Sequence, residues 1–221
     1  YFMTTAIIIP SFNPPEYFIH LIHSLRNETS MPIIIIDDGS EPKIQINNQY
    51  NDVILLRNKI NKGKGYALIK GMNFIFEKGY THAITLDADL QHDPTLILDF
   101  LSIDENISIV CGKRDLISPM PVHRRLSNII TSRIVSFICG IKLYDSQSGY
   151  RRYRLKDVCK VTFIEEGFQF ETEVLIELSR KGLLISHIDI PTIYFSETST
   201  MSNFYDTFKF IKLIIRSLRK L

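Results

Sequence analysis

Short apolar runs recur along the first half of the chain without alternation between polar and apolar residues. They cover residues 6–9, 33–36, 53–56, 83–86 and 107–110. Unbroken runs of this length are typical of strands buried on both faces of a parallel sheet. The segments between them carry apolar residues at helical spacing, as at Phe18, Leu21, Ile22 and Leu25. The alternation predicts an α/β fold, with a mostly parallel central sheet flanked by helices.

The conspicuous polar segments follow the ends of these predicted strands. They are residues 10–13, 37–40, 61–65 and 87–91. The carboxyl ends of parallel strands share one edge of the sheet, and ligands bind at that edge. The sequence therefore predicts a nucleotide site built from four loops on one rim of the sheet.

Asp87 and Asp89 stand two residues apart, directly after the fourth apolar run, and Pro94 follows at the start of a predicted helix. A carboxylate pair in this place suits a divalent cation, which in turn neutralises a nucleotide diphosphate. The alternative interpretation is a polar loop that caps a helix.

Composition narrows the class of protein. The 221 residues are 45% hydrophobic and 23% charged, which predicts one globular domain over residues 3–221. A net charge of +2 gives no support for nucleic-acid binding. Cys111, Cys139 and Cys159 lack metal-ligand spacing and are predicted to be reduced thiols, which favours the cytoplasm. We find no signal peptide and no apolar stretch of the ~20 residues that would span a membrane.

Four segments together resemble the ordered motifs of family 2 glycosyltransferases, which have the GT-A fold. They are residues 9–14 (IPSFNP), 36–40 (IDDGS), 61–68 (NKGKGYAL) and 86–94 (LDADLQHDP). Each motif is weak alone, but four in this order and spacing are specific. The chain is most similar to the branch that contains dolichol-phosphate mannose synthase and the bacterial polyprenyl-phosphate glycosyltransferases, and the resemblance covers residues 7–211.

The resemblance implies a nucleotide-sugar-binding half at residues 3–115. Its implied contacts are Pro10, Phe12, Asn13, Asp37, Asp38, Lys62, Lys64, Asp87, Ala88, Asp89 and Gln91. The first three would wall the base pocket. Asp37 or Asp38 would bind the base or ribose, and Lys62 or Lys64 would lie near the phosphates. Asp87 and Asp89 would hold Mg²⁺ or Mn²⁺. The base stays open between uracil and guanine, because Phe12 and Pro14 replace a usual Tyr and a frequent Glu.

An acceptor half is implied at residues 116–202. The resemblance assigns the acceptor phosphate to Arg114, Arg124, Arg125 and Ser127. Arginine suits this role because its planar fork grips phosphate oxygens. The alternative interpretation of these arginines is a solvated basic face. Residues 191–202 resemble the mobile loop that covers the donor in this branch.

Two acidic residues are the catalytic candidates. Asp145 lies in residues 144–151, which we call the acceptor loop because they resemble the acceptor-side loop of this branch. There Asp145 would act as a base or as an orienting group; the alternative is an Asx turn. Glu173 matches an acidic position that faces the acceptor, and its alternative is a favourable charge at a helix N-terminus.

Residues 203–221 predict a basic amphipathic helix. Its apolar stripe is Phe204, Phe208, Ile211, Ile215 and Leu218. Its cationic stripe is Lys209, Lys212, Arg216 and Arg219, together with Lys220. Such a helix is typical of peripheral contact with a membrane, and the alternative is a surface helix docked on the domain.

The resemblance implies inverting, metal-dependent transfer of a hexose from a UDP- or GDP-linked sugar to a polyprenyl or dolichyl phosphate at the cytoplasmic membrane face. One alternative is transfer to a saccharide hydroxyl in cell-surface polysaccharide synthesis. The other is a sugar-nucleotide-binding module without turnover.

Overall fold

The structure is a computed structural model that describes residues 3–46, 50, 52–115, 120–193 and 203–220, with backbone alone at 203 and 204. Seven strands within these residues form one sheet in the order β3-β2-β1-β4-β6-β5-β7. They are β1 (Thr5–Ser11), β2 (Ile33–Asp37), β3 (Val53–Arg57), β4 (His82–Thr85), β5 (Ile109–Arg114), β6 (Arg151–Arg154) and β7 (Ile185–Ile190).

Helices cover both faces of this sheet. They are α1 (Phe18–Glu28), α2 (Lys64–Glu77), α3 (Ile97–Ser102), α4 (Val122–Cys139), α5 (Leu155–Val158), α6 (Phe170–Arg180) and α7 (Asn203–Leu218). A 3₁₀ turn at Pro94–Leu96 precedes α3, and Asp93 caps it by accepting a hydrogen bond from the Thr95 amide. No helix among the residues described here is long and apolar enough to cross a bilayer.

The pairing is mostly parallel, as the sequence predicts. β1 pairs with β2 and β4, β2 with β3, and β5 with β7, all in parallel. β6 runs antiparallel between β4 and β5. The pattern of apolar runs did not predict β6 or α5. It also placed the fifth strand at residues 107–110, whereas β5 continues to Arg114 and carries that arginine to the edge of the sheet.

The unbroken apolar runs fill two core layers, one on each face of the sheet. Ile7 and Ile9 of β1 point into the layer under α1 and α3, while Ile8 points into the layer under α2, α4 and α6. All three side chains are fully buried. Successive side chains of a strand point to opposite faces, so a strand covered on both faces is apolar throughout.

Candidate active site

The loops after β1 and β2 are joined by hydrogen bonds. The Asn13 amide donates to Ser40 Oγ at 2.9 Å, and the Glu41 amide donates to Asn13 Oδ1 at 2.9 Å. Asn13 has a φ of 45°, in the left-handed region that asparagine tolerates better than most residues. Pro10 is buried in β1 and Phe12 is exposed at the loop surface. The structure thus places the three predicted base-pocket residues at the carboxyl edge of the sheet.

Asp37 ends β2 with a fully buried carboxylate. It accepts a hydrogen bond from the Ser40 amide at 2.8 Å and forms an ion pair with Arg57. Burial by itself raises the pKa of Asp37, but the Ser40 hydrogen bonds and the Arg57 charge outweigh it and hold that pKa below its usual value. Asp37 is therefore a charged group that shapes the loop after β2.

Asp38 uses its carboxylate to fix the start of α2. Its oxygens accept hydrogen bonds from the amides of Lys62 and Gly63, and from Asn58 Nδ2 at 2.6 Å. This sets the path of the segment that carries both candidate phosphate-binding lysines. Lys62 itself lies at the surface, where its Nζ donates to Tyr66 Oη at 3.2 Å.

Lys64 lies at the centre of the site. Its Nζ is 2.5 Å from Asp87 Oδ1 and 2.9 Å from Glu171 Oε1, so one ammonium joins the loop after β4 to the first turn of α6. Burial opposes the charge on Lys64, yet the two carboxylates more than compensate and raise its pKa above the usual value. Of the two lysine candidates, the structure brings Lys64 to the carboxylate pair.

Gly149 packs against all three charged groups. A Cβ atom at this position would lie 2.7 Å from Asp87 Oδ2, 2.9 Å from Glu171 Oε1 and 2.9 Å from Lys64 Nζ. Any side chain at Gly149 would therefore displace one of the charges. The glycine lets the acceptor loop approach the start of α2, the loop after β4 and the first turn of α6 directly.

His92 holds the backbone of the loop that carries Asp87 and Asp89. Its Nδ1 accepts a hydrogen bond from the Asp87 amide at 3.0 Å, and its ring stacks on Tyr150 with the ring centroids 5.0 Å apart. Burial lowers the pKa of His92 to about 4, so the ring is neutral near pH 7. Because Nδ1 accepts, the proton sits on Nε2, which lies 4.0 Å from Asp87 Oδ2.

The pKa values of Asp87 and Asp89 are shifted in opposite directions. Burial and the neighbouring Asp87 charge raise the pKa of Asp89 to about 6. Burial also acts on Asp87, but Lys64 outweighs it and holds the pKa of Asp87 below its usual value. The Gln91 amide donates to Asp89 Oδ1 at 3.0 Å, which closes an Asx turn around Asp89 and Leu90.

The oxygen-rich pair fits Mg²⁺ or Mn²⁺, which prefer carboxylate ligands. No group of three or more His, Cys, Asp or Glu residues gathers at a metal-binding distance within the described ranges. Ions such as Mg²⁺ are commonly held by one or two carboxylates together with substrate phosphates. The residues present thus suit a metal that arrives with a diphosphate.

Asp145 is fully buried in the acceptor loop. Its oxygens accept five hydrogen bonds, from Arg114 Nε at 2.7 Å and Nη2 at 3.1 Å, Asn128 Nδ2 at 2.8 Å, and the amides of Gln147 and Ser148. Burial raises the pKa of Asp145, but Arg114 and the other donors outweigh it and keep the pKa below normal. This arrangement suits an orienting carboxylate, and the hydrogen bond from the Gln147 amide forms the Asx turn of the alternative interpretation.

The remaining acceptor-phosphate candidates lie on the first two turns of α4. Ser127 is exposed, while Arg124 and Arg125 are half-buried. The adjacent Asn128 turns inward and contacts Asp145. Asn128 was not among the residues predicted from the sequence, although an amide beside a predicted phosphate-binding serine is a signal that could have found it.

Glu171, rather than Glu173, faces the Asp87 site. Residues two apart on a helix are rotated by about 200°, so the two glutamates point in opposite directions. Glu173 Oε2 accepts the amides of Ile164 and Glu165, and its Oε1 is 2.7 Å from Arg216 Nη2 of α7. The structure therefore uses Glu173 to hold α7, and it supplies no contact that links Glu173 to the acceptor loop among the residues described.

Arg151 is a further residue that was not predicted from the sequence. Its guanidinium is fully buried and donates to the carbonyl oxygens of Ser148, Glu171 and Ser146 at 2.7, 2.7 and 2.8 Å. One side chain thereby ties the acceptor loop to the first turn of α6. Burial opposes its charge, but nearby groups raise its pKa.

The C-terminal helix combines the two interpretations that the sequence left open. Leu213 and Ser217 of α7 are buried, so one face of the helix is docked. Phe208, Ile211, Ile215 and Leu218 of the predicted apolar stripe are exposed on the other face. The side chain of Phe204 and residues 194–202 of the predicted mobile loop lie outside the described residues.

Comparison with known proteins identifies a family. A family model described as "Glycosyl transferase family 2" matches residues 6–168. The chain is 31% identical over 220 residues to the UDP-N-acetylglucosamine–dolichyl-phosphate N-acetylglucosaminyltransferase of Methanococcus voltae, covering 85% of each chain. It is 24% identical over 210 residues to the undecaprenyl-phosphate mannosyltransferase of Micrococcus luteus, covering 85% of this chain and 83% of that protein.

The fold also matches solved structures. A complex of glucosyl-3-phosphoglycerate synthase from Mycobacterium tuberculosis with Mn²⁺, UDP-glucose and phosphoglyceric acid superposes with a TM-score of 0.77 at 15% identity. The match covers 97% of this chain and 79% of the synthase. At this identity the likeness concerns the fold, and it confirms the predicted GT-A class.

Proposed function

Because the chain belongs to glycosyltransferase family 2 and is a glycosyltransferase, we propose that it moves a hexose from a nucleotide sugar to a polyprenyl or dolichyl phosphate, with inversion and with Mg²⁺ or Mn²⁺. The observation that carries the donor side is the cluster of Lys64, Asp87 and Glu171 beside Asp89 at the carboxyl edge of the sheet. Nucleotides bind at that edge in open α/β sheets.

In this proposal Asp87 and Asp89 would hold the cation, and a bound divalent cation would supply positive charge to the departing diphosphate. Lys64 lies beside the same phosphates as a fixed positive charge. His92 keeps the Asp87 backbone in place through its Nδ1, and Gly149 lets the acceptor loop reach the reacting carbon. Asn13, Asp37 and Asp38 shape the base pocket, with Pro10 and Phe12 as its walls.

The hydrogen bonds and the lowered pKa of Asp145 support the assignment of a phosphate acceptor. A phosphate is already anionic near pH 7, so it needs orientation more than deprotonation. A carboxylate with five hydrogen bonds and a lowered pKa is a poor base but holds the Arg114 guanidinium rigidly. Arg114, with Arg124, Arg125 and Ser127, would then bind the lipid phosphate. The relatives named for dolichyl and undecaprenyl phosphate support the same class of acceptor.

The donor is tested first, by isothermal calorimetry with UDP and GDP in the presence of Mn²⁺ and again with EDTA. We expect one nucleotide to bind and EDTA to abolish most of that binding. Binding that is unaffected by EDTA would contradict the metal site, and binding of neither nucleotide would overturn the donor assignment.

The acceptor is tested by transfer of a radiolabelled hexose from a nucleotide sugar that carries whichever nucleotide, UDP or GDP, binds in the first test. We expect label on polyprenyl phosphate and none on polyprenol, which has the same chain without the phosphate. Transfer to a saccharide hydroxyl, with polyprenyl phosphate inert, would overturn the acceptor assignment and leave the donor assignment standing.

A further inference from the structure

Helices α4 and α7 expose most of the large apolar side chains at the surface of the described structure. Ten of its 18 exposed large hydrophobic residues belong to these two helices. On α4 they are Val122, Leu126, Ile130, Ile134 and Phe137, and on α7 they are Tyr205, Phe208, Ile211, Ile215 and Leu218. Phe137 is 76% exposed and Phe208 is 66% exposed. Spacings of three and four residues place each set on one face of its helix.

The two exposed faces lie on the same side of the molecule. Val135 and Ile138 of α4 and Phe210 and Ile214 of α7 pack into the same core layer, and the two helices contact each other. Each helix therefore turns its opposite face outward from that layer. We call the ten outward residues the α4–α7 apolar surface.

Positive charge is concentrated in the same two helices. Residues 122–139 and 203–220 hold eight of the 26 Lys and Arg residues and one of the 24 Asp and Glu residues, Asp206. The two segments thus carry a net charge of about +7 and the rest of the chain about −5 by the same count of ionised groups. Among the cations, Arg133, Lys212 and Arg219 are exposed beside the apolar residues.

Arg216 differs from these exposed cations because it anchors the helix. It turns inward and pairs with Glu165 at 3.0 Å and with Glu173 at 2.7 Å, which locks α7 onto the domain. Lys212 and Arg219 stay at the surface beside the apolar stripe. A rigidly docked helix presents its outer face without first having to fold on a partner.

We propose that the α4–α7 apolar surface docks on an anionic lipid bilayer. An apolar stripe edged by lysine and arginine fits the headgroup and acyl boundary of such a membrane, where cations are attracted to the surface charge. A second copy of the chain would place like charges together, and a protein partner would have to supply both an apolar face and a negative rim. Charge complementarity therefore favours the anionic bilayer.

This inference rests on the proposed function, which explains why the protein would dock on a membrane: α4 also carries the candidate phosphate-binding residues. Docking through α4 would place Arg124 and Arg125 at headgroup depth, where a lipid phosphate lies. It differs from the expectation based on the C-terminal helix alone, since α4 becomes an equal part of the contact.

The test is sedimentation of the full chain with vesicles of phosphatidylcholine and phosphatidylglycerol that contain no polyprenyl phosphate. The test variant carries Leu126→Asp on α4 and Leu218→Asp on α7. The matched control carries Leu98→Asp and Leu184→Asp, two leucines that are each 59% exposed elsewhere on the domain. The control adds the same charges and removes the same side chains. Thermal melting of each variant verifies folding.

We expect the test variant to bind about tenfold more weakly or worse, while the control binds as the parent does. Leu126→Asp alone should account for a measurable part of the loss, and vesicles of pure phosphatidylcholine should bind the parent poorly. Equal binding by test and control variants would overturn the proposal. So would a dimer in sedimentation equilibrium that the test substitutions dissociate, because the surface would then be an interface between copies. Since neither nucleotide nor acceptor is present, these outcomes are independent of the proposed transfer reaction.

Discussion

Two aspartates, Asp87 and Asp145, each pair with a cation at the carboxyl edge of the sheet, yet their surroundings differ. The Asp87 side chain is 28% exposed, and its Oδ2 faces His92 across 4.0 Å. The Asp145 side chain is fully buried, and its two oxygens accept five hydrogen bonds. The first carboxylate is accessible to a ligand, and the second is committed to its neighbours.

This difference agrees with the proposed roles, in which Asp87 binds a ligand and Asp145 positions Arg114. A group that must hold a metal and a diphosphate needs lone pairs that the protein has not already used. A group that must hold an arginine in one orientation gains from using all of them. In the proposed function the same residue type thus serves two purposes, and the exposure of its side chain distinguishes them.

The largest effect is expected from Asp89→Ala. Removal of one of the paired carboxylates should lower kcat/KM by about 10³-fold or more, because the developing diphosphate charge would lose its cation. Transfer assays across a Mn²⁺ titration measure this loss. Asp99→Ala, an exposed carboxylate on α3, serves as control and should leave transfer unchanged. Retention of metal-dependent transfer by the Asp89 variant would exclude Asp89 as a ligand.

An intermediate effect is expected from Asp145→Asn. The amide cannot pair with Arg114 as a carboxylate does, so the acceptor KM should rise by about 10- to 100-fold while nucleotide binding is unchanged. Kinetics with the acceptor varied measure this. A loss confined to kcat, with the acceptor KM unaltered, would instead identify Asp145 as the base.

The same substitution changes the response to acid. The folded-state pKa of Asp145 lies below its usual value, so the stabilisation is present above that usual value and is lost as the pH falls through the folded pKa. The Asn variant should be less stable at pH 7 by ~1–3 kcal/mol. Its stability should then fall less than that of the parent on acidification, as measured by urea unfolding. Parallel curves for the two proteins would contradict the lowered pKa.

The smallest effect on transfer is expected from Glu173→Gln, compared with Glu171→Gln on the same helix. Glu173 holds Arg216 and the loop at 164–165, so its substitution should lower the unfolding free energy by ~1–3 kcal/mol and change transfer by less than about twofold. Glu171→Gln should weaken the Lys64 pair and reduce transfer more. The reverse order would return Glu173 to its predicted catalytic role.

Much of the fold follows from local sequence. The runs at β1 and β2 are apolar because both faces are covered, and that pattern is visible without tertiary information. The loops after them carry the polar residues of the nucleotide edge for the same topological reason. Asp87, Asp89 and Lys64 were therefore predictable as neighbours from their positions at the ends of apolar runs.

β6 was not predictable in that way. Arg151, Arg152 and Arg154 make its sequence look like a solvated loop, although the first two are fully buried. Arg152 donates to the carbonyl oxygens of Phe100, Ile103 and Asp104, which close the end of α3. A buried guanidinium is stabilised by such acceptors, and these come from segments distant in sequence. The sequence also does not show which of Glu171 and Glu173 faces Asp87, because that depends on which face of α6 meets the sheet.

The three carbonyls held by Arg151 also have a consequence for motion. They belong to the acceptor loop and to the first turn of α6, so neither segment can open locally without leaving a buried cation unsolvated. The two segments should therefore exchange their amide hydrogens as one cooperative unit. The acceptor loop and the start of α6 would then fluctuate together, and in the proposed function substrate entry would depend on motion elsewhere in the chain.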